Sequence, residues 1–202
     1  MKRILFFSFL GIFAGKLLAQ KNIQSLPIGT KAPLTEQTMK DVSSKMVSIK
    51  DAMMANGVLV MFSCNTCPYV IKNQDRTKSI ANYAIQNKLG VIILNSNEAQ
   101  RNADDSFEAM KNYAKAQGYN YYYVVDENAA VANAFGATRT PEIFLLNKEG
   151  TIIYKGAIDD NPADATQVKS IFLKEAIDEL VSGKPITVKE SKSIGCTIKR
   201  KV

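Results

Sequence analysis

Three cysteines, Cys64, Cys67 and Cys196, are the strongest nucleophiles in this chain, and it contains no histidine. Two of them stand at i and i+3 in Phe62-Ser63-Cys64-Asn65-Thr66-Cys67-Pro68, directly after the apolar run at 58–62. That run reads as a strand, and Pro68 suits the first turn of a helix, where its missing N–H would have no intrahelical partner. The unpaired N–H groups and positive dipole end of a helix favour a thiolate over a thiol, so a cysteine there is expected below the ~8.5 of a free thiol. Cys64 is therefore expected as the exposed nucleophile, and Cys67, one turn inside, as the resolving partner. Asn65 and Thr66 are small and polar, leave the approach of a disulfide open, and are expected to border the substrate. A structural disulfide between such close neighbours would close almost no loop. A zinc site built of cysteine and histidine needs four ligands, and three cysteines are present. Thiol redox chemistry remains.

Cys196 makes the cysteine count odd. It either relays an oxidising equivalent by pairing with Cys64 or Cys67, pairs with another molecule, or packs as a small apolar residue beside Ile194 and Ile198. Packing is the favoured reading. Three sulfurs in one pocket would also suit Cu(I), a non-enzymatic alternative, although the lack of histidine argues against it. Without histidine there is no Ser-His or Cys-His machinery. Neither a P-loop nor a GxGxxG run occurs. No cofactor and no resident metal are expected.

Strands and helices alternate along the chain, as in α/β folds. Residues 20–44, with Pro27 and Pro33, read as an irregular lead-in, 46–49 as a short strand and 58–62 as the central one. Residues 68–89 carry apolar positions at helical spacing except between 72 and 79, where the helix is expected to bend or lie exposed. Gly90 is expected to stop it. The run at 91–94 reads as a buried parallel strand, with Asn95-Ser96-Asn97 at its carboxyl end, where α/β sheets place a ligand crevice. Asp105 and Glu108 have capping-box spacing for a helix over 106–117. A strand at 121–125, a short helix capped by Asp126 and stopped at Gly136, a hairpin of 142–146 with 151–155, and a last helix over 166–182 complete the reading.

Lys2 and Arg3 precede an apolar run at 4–14, and Leu17-Leu18-Ala19 offers a small residue before Gln20. Residues 1–19 are thus expected to be a secretory signal peptide, too short to span a bilayer comfortably. The remaining ~180 residues are one domain's worth, 20–183, followed by a basic tail, 184–202. The net charge of +7 is concentrated at the two ends, and the tail is expected to be solvated and loosely held. Neither a nucleic-acid partner nor stable membrane insertion after signal cleavage is expected. Export to a periplasm would place the dithiol in an oxidising compartment, so a reducing partner protein is implied.

Thr140-Pro141, lying just before an apolar strand and well after the CxxC helix, resembles the thioredoxin-fold superfamily. Together with Cys64-Asn65-Thr66-Cys67-Pro68-Tyr69-Val70, Asn95-Ser96-Asn97, Ala137-Thr138-Arg139-Thr140-Pro141-Glu142 and Gly195-Cys196-Thr197-Ile198-Lys199, it is similar to the peroxiredoxin-like branch of the redoxin (AhpC/TSA-type) family. The resemblance implies a thioredoxin-like three-layer α/β sandwich, a central mixed sheet flanked by helices. It also implies a cis Pro141 beside the thiols, with the backbone at Thr140 pairing with a substrate strand. Arg139 would stabilise a developing anion, and Glu142 would accept the Cys67 proton. The implied activity is thiol-disulfide exchange on a protein or small-molecule disulfide, with peroxide reduction as the alternative. Against peroxide, the proline and hydroxyl residue that peroxiredoxins hold seven and three positions before the peroxidatic cysteine are Gly57 and Met61 before Cys64, and Val60 and Cys64 before Cys67.

Overall fold

The computed structural model describes residues 23–201; the expected signal segment lies outside the described residues. The strand that delivers the thiols, β3 (Gly57–Ser63), is buried along its whole length. Its side chains divide by the period of two that any strand imposes. Leu59 and Met61 join one apolar cluster, while Val58, Val60 and Phe62 join another. A strand covered on both faces has no polar side, and for that reason it reads as an unbroken apolar run.

Seven strands form the sheet. In chain order they are β1 (Met39–Asp41), β2 (Met46–Val47), β3, β4 (Leu89–Asn95), β5 (Tyr122–Val125), β7 (Glu142–Leu146) and β8 (Ile152–Gly156). Across the sheet the order is β2-β1-β5-β4-β3-β7-β8. The centre, β3 with β4 and β4 with β5, is parallel. Both edges are antiparallel, β7 on β3 and β1 on β5, so the sheet is mixed. Helices α3 (Gln74–Gln86), α4 (Phe107–Gln117) and α6 (Phe172–Val181) supply residues to the Leu59 cluster. Helices α1 (Ile49–Ala52) and α5 (Ala130–Phe135) supply the Phe62 cluster. The three-layer α/β sandwich is as expected. A separate two-stranded pairing, β6 (Arg139–Thr140) with β9 (Cys196–Thr197), lies beside β3.

Several local expectations give way to tertiary contacts. The irregular lead-in contains β1, too short to show a periodicity. Ser48 leaves the expected strand at 46–49 and caps α1, in a capping box with Asp51. The long helix over 68–89 is two, α2 (Pro68–Lys72) and α3, broken at Asn73. The Asn73 side chain donates to the carbonyls of Tyr69 and Pro162, an inward polar tie where the sequence lacks an apolar face. Gly90 does not stop a helix. It lies inside β4, where a Cβ would stand 1.6 Å from the Ala52 carbonyl oxygen. The last helix starts at Phe172 rather than 166, because the backbone at 169–170 is engaged by Asp160. Its buried face is Leu173, Ala176 and Ile177, while Ile171 is exposed.

The tail is not loosely held. Ile198 enters the Phe62 cluster, and the Ser191 amide donates to the Lys155 carbonyl. Arg200 donates to Asn133 Oδ1 and to the Ala137 carbonyl. The tail's lysines face solvent while Ile186 and Ile198 are buried, a division that net charge does not reveal. Among the described residues no helix is long and apolar enough to cross a membrane.

Candidate active site

β3 ends at Ser63, and the chain turns through Cys64, Asn65 and Thr66 into α2, with Cys67 at the N-cap and Pro68 in the first turn. Cys64 and Cys67 are both buried, at 2% and 4% exposure, so the expected exposed nucleophile is covered. Cys64, Cys67 and Val70 form a small apolar cluster with Tyr69 and Cys196 packed on it. Thr66 alone of the turn is exposed. Burial pushes the Cys64 thiol above its ordinary value, and the nearby Asp105 carboxylate pushes the same way. The Thr140 hydroxyl and the amides of Cys67 and Thr66 oppose them. The helix end thus acts in the expected direction, but desolvation of the thiolate exceeds it.

The Thr140–Pro141 bond is cis and lies against both cysteines. Thr140 Oγ1 is 3.6 Å from Cys64 Sγ, and the Thr140 carbonyl oxygen is 3.2 Å from Cys67 Sγ. Cys67 is joined to Cys196 in a disulfide across 129 residues, with Cα atoms 6.0 Å apart, and Cys64 is the free thiol. Of the alternatives for Cys196, pairing with Cys67 replaces the favoured packing role. The reason is topological: β9 lies antiparallel to β6 with Cys196 opposite Thr140.

Arg139 is exposed and donates through Nη1 to Thr197 Oγ1 at 3.0 Å. It therefore contacts the tail rather than a thiolate. Glu142 is buried, with Oε2 accepting from the amides of Thr138 at 2.7 Å and Arg139 at 2.8 Å. Burial raises its pKa, against those two hydrogen bonds. Its Oε2 is thereby engaged by the backbone of the turn ahead of the cis bond. Asn65 is buried in a polar network instead of bordering an open approach. Its amide donates to Asp105 Oδ1 at 2.9 Å, and its Oδ1 accepts from the Tyr123 hydroxyl at 2.7 Å.

That network contains a residue the sequence reading put elsewhere. Asp105 is not the cap of α4, because Ser106 takes that role. Fully buried, Asp105 also accepts from Asn95 Nδ2 at 2.7 Å and Asn97 Nδ2 at 2.9 Å. Asn97 Oδ1 in turn accepts from the Lys199 amide at 2.8 Å. The crevice at the carboxyl end of β4 is therefore a buried scaffold linking the dithiol turn to the tail. The Asn95-Ser96-Asn97 run was the available signal for it. The N-cap of α5 is Ala129 rather than the expected Asp126, although the Asp126 carboxylate accepts from the amides of Val131 and Ala132 in its first turn.

A strand buried on both faces, a CxxC turn and a cis-proline loop are the parts of a redoxin site, and the redoxin family profile matches residues 27–171. The chain belongs to the redoxin family. It is an oxidoreductase. This redoxin is 32% identical to an uncharacterized conserved protein from Geobacillus kaustophilus whose crystal structure superposes with a TM-score of 0.80, over 87% of this chain and 93% of that one. It is 27% identical over 149 residues to thiol-disulfide oxidoreductase ResA of Bacillus subtilis (strain 168), covering 70% of each chain. The thioredoxin domain of a thiol-disulfide oxidoreductase from Bacteroides vulgatus aligns at a TM-score of 0.54 and 21% identity, over 66% of this chain and 90% of that domain. That last likeness establishes the thioredoxin-type fold alone.

Proposed function

We propose that this redoxin is an exported thiol-disulfide oxidoreductase that reduces or exchanges disulfides through Cys64 and Cys67. The observation that carries the reading is the convergence of both cysteines on Thr140 and the cis Thr140–Pro141 bond. In the reduced chain the Cys64 thiolate attacks a substrate disulfide, forming a Cys64–substrate bond and releasing the other substrate sulfur as a thiol. Cys67 then attacks the Cys64 sulfur, forming Cys64–Cys67 and releasing the second substrate thiol. Two electrons leave the chain, and a reducing partner protein returns them. Thr140 and Pro141 serve as the ledge for the substrate backbone, with Thr66 at the entrance. The basic, apolar and small-residue order of 1–19 supports export.

Exchange is favoured over peroxide reduction because the positions that would polarise a peroxide are spent on packing. Met61 lies in the core at 1% exposure and Val60 is fully buried. A Cu(I) role needs several free sulfurs, and two of the three are bonded to each other. The test mixes reduced protein with a protein disulfide or with hydrogen peroxide. Exchange is expected to disappear in Cys64→Ser, and Cys67→Ser is expected to trap a Cys64–substrate mixed disulfide. Exchange that survives Cys64→Ser, or peroxide consumption that outpaces it, would overturn the proposal. Export is checked by the mass of protein recovered from a periplasmic fraction, expected to begin at Gln20.

A further inference from the structure

The ledge where a substrate strand would lie is already occupied by the chain itself. β9 pairs antiparallel with β6 in the register Arg139↔Thr197 and Thr140↔Cys196, the strand addition by which an extended peptide docks on an exposed edge. The tail is seated for this. At Gly195 a Cβ would stand 2.1 Å from the Thr140 carbonyl oxygen, 2.7 Å from its carbon and 3.2 Å from the Pro141 nitrogen, so a residue without a side chain is required for the approach. Beyond the cysteine, the Ile198 amide donates to the Thr138 carbonyl at 3.0 Å, and the Lys199 carbonyl accepts from the Ala99 amide at 2.8 Å. The sulfur that this strand carries is bonded to Cys67, and Cys64, the neighbour in the same apolar cluster, is left reduced.

We infer that Cys196 is the terminal resolving thiol of this redoxin and that its strand is a built-in occupant of the substrate ledge, exchanged for substrate as the disulfide moves between two pairs. The inference rests on the exchange chemistry proposed above and adds a second intramolecular step to it. After Cys64–Cys67 has formed, the Cys196 thiolate attacks the Cys67 sulfur. The Cys67–Cys196 bond forms, the Cys64–Cys67 bond breaks, and the electron pair leaves on Cys64. The proton given up by Cys196 is balanced by the one Cys64 takes. No oxidant or reductant enters. Cys67–Cys196 is the closed isomer, with the ledge filled. Attack of the Cys64 thiolate on Cys67 reverses the step, expels Cys196 and gives the open isomer, in which β9 is held by hydrogen bonds and Ile198 alone. The burial that raises the Cys64 pKa in the closed isomer disfavours that reverse attack, since only the thiolate is nucleophilic.

The test oxidises reduced full-length protein with one equivalent of a peptide disulfide, quenches in acid, alkylates under denaturing conditions and maps the linkage by peptide mass. Wild type is expected to yield Cys67–Cys196 with alkylated Cys64. In Cys196→Ala, Cys64 is expected to be recovered in a Cys64–Cys67 disulfide, a change that a packing role for Cys196 would not produce. Gly195→Ala touches no sulfur and is expected to shift the isomer ratio about tenfold toward Cys64–Cys67, the size of effect a backbone clash gives. Wild type that maps as Cys64–Cys67 with alkylated Cys196 would overturn the inference, as would a ratio indifferent to Gly195→Ala. If the peptide disulfide oxidises no thiol at all, the exchange reading fails. The thiol oxidant diamide then decides the tail separately, by whether it produces Cys67–Cys196.

Discussion

Two segments meet at Thr140, and they are held in opposite ways. The Cys64–Cys67 turn hangs from β3, which is buried on both faces and hydrogen-bonded on both sides. The tail strand around Cys196 is two residues long and paired on one side only; it is anchored by Ile198, one disulfide and the hydrogen bonds of Ile198, Lys199 and Arg200. The first arrangement gives a fixed geometry at the nucleophile. In the isomer exchange inferred above the second is the element that leaves, because local opening costs least where few ladder bonds are lost.

The comparison breaks first if the covalent tie matters little. Cutting Cys67–Cys196 removes a cross-link over 129 residues, so urea unfolding with and without reductant is expected to differ by up to about 5 kcal/mol. No change in midpoint would mean that the tail is already free of the folding unit. On the other side, Phe62→Ala removes a fully buried ring that packs edge-on against Phe135 and Phe144, and a loss of about 3–5 kcal/mol is expected in the same assay. Ile198→Ala empties an equally buried position on the movable segment. In reduced protein its global cost is expected to stay below about 1 kcal/mol, since the tail detaches before the domain unfolds. Hydrogen exchange at the Ile198 amide, now bonded to Thr138, is expected to accelerate. A cost as large as that of Phe62→Ala would show that the tail is core.

The smallest effect sharpens the electrostatics of the dithiol turn. Because the Cys64 pKa is raised in the folded chain, the folded state holds its proton more tightly than the unfolded one. The stability this contributes is present below the ordinary thiol pKa and lost as pH rises through and above it. Alkylation of Cys64 in the closed isomer is expected to rise only above the free-thiol range. Asp105→Asn removes a negative charge that raises this pKa, so its alkylation profile is expected to move to lower pH. An unmoved or upward-shifted profile would show that Asp105 serves the turn by hydrogen bonding alone.

Legibility followed the same division. The central strand, the parallel neighbour β4, the hairpin of β7 and β8 and the CxxC turn were readable because each is a local pattern of apolar run, glycine or proline, and cap. The cis Thr140–Pro141 bond beside the thiols was readable because the resemblance supplied its place. The tail was misread as solvated because composition counts its lysines and cannot weigh two buried isoleucines, Ile186 and Ile198. Asp105 was misread as a cap because its partners, the Asn65 amide, Asn95 and Asn97, come from other segments. Glu142, next to Pro141, was read as a proton acceptor on proximity in the chain, and its hydrogen bonds to the amides of Thr138 and Arg139 were not legible there.

The sequence by itself determined that this chain would bury an apolar sheet, carry two thiols at the end of its central strand and do its chemistry with sulfur, since strand period, capping and residue type act over a few positions. Only the tertiary structure decided which sulfurs bond, that burial raises the thiol's pKa, and what pairs with the strand at Thr140. Those outcomes depend on segments more than a hundred residues apart meeting at one carbonyl, and no local pattern encodes that meeting.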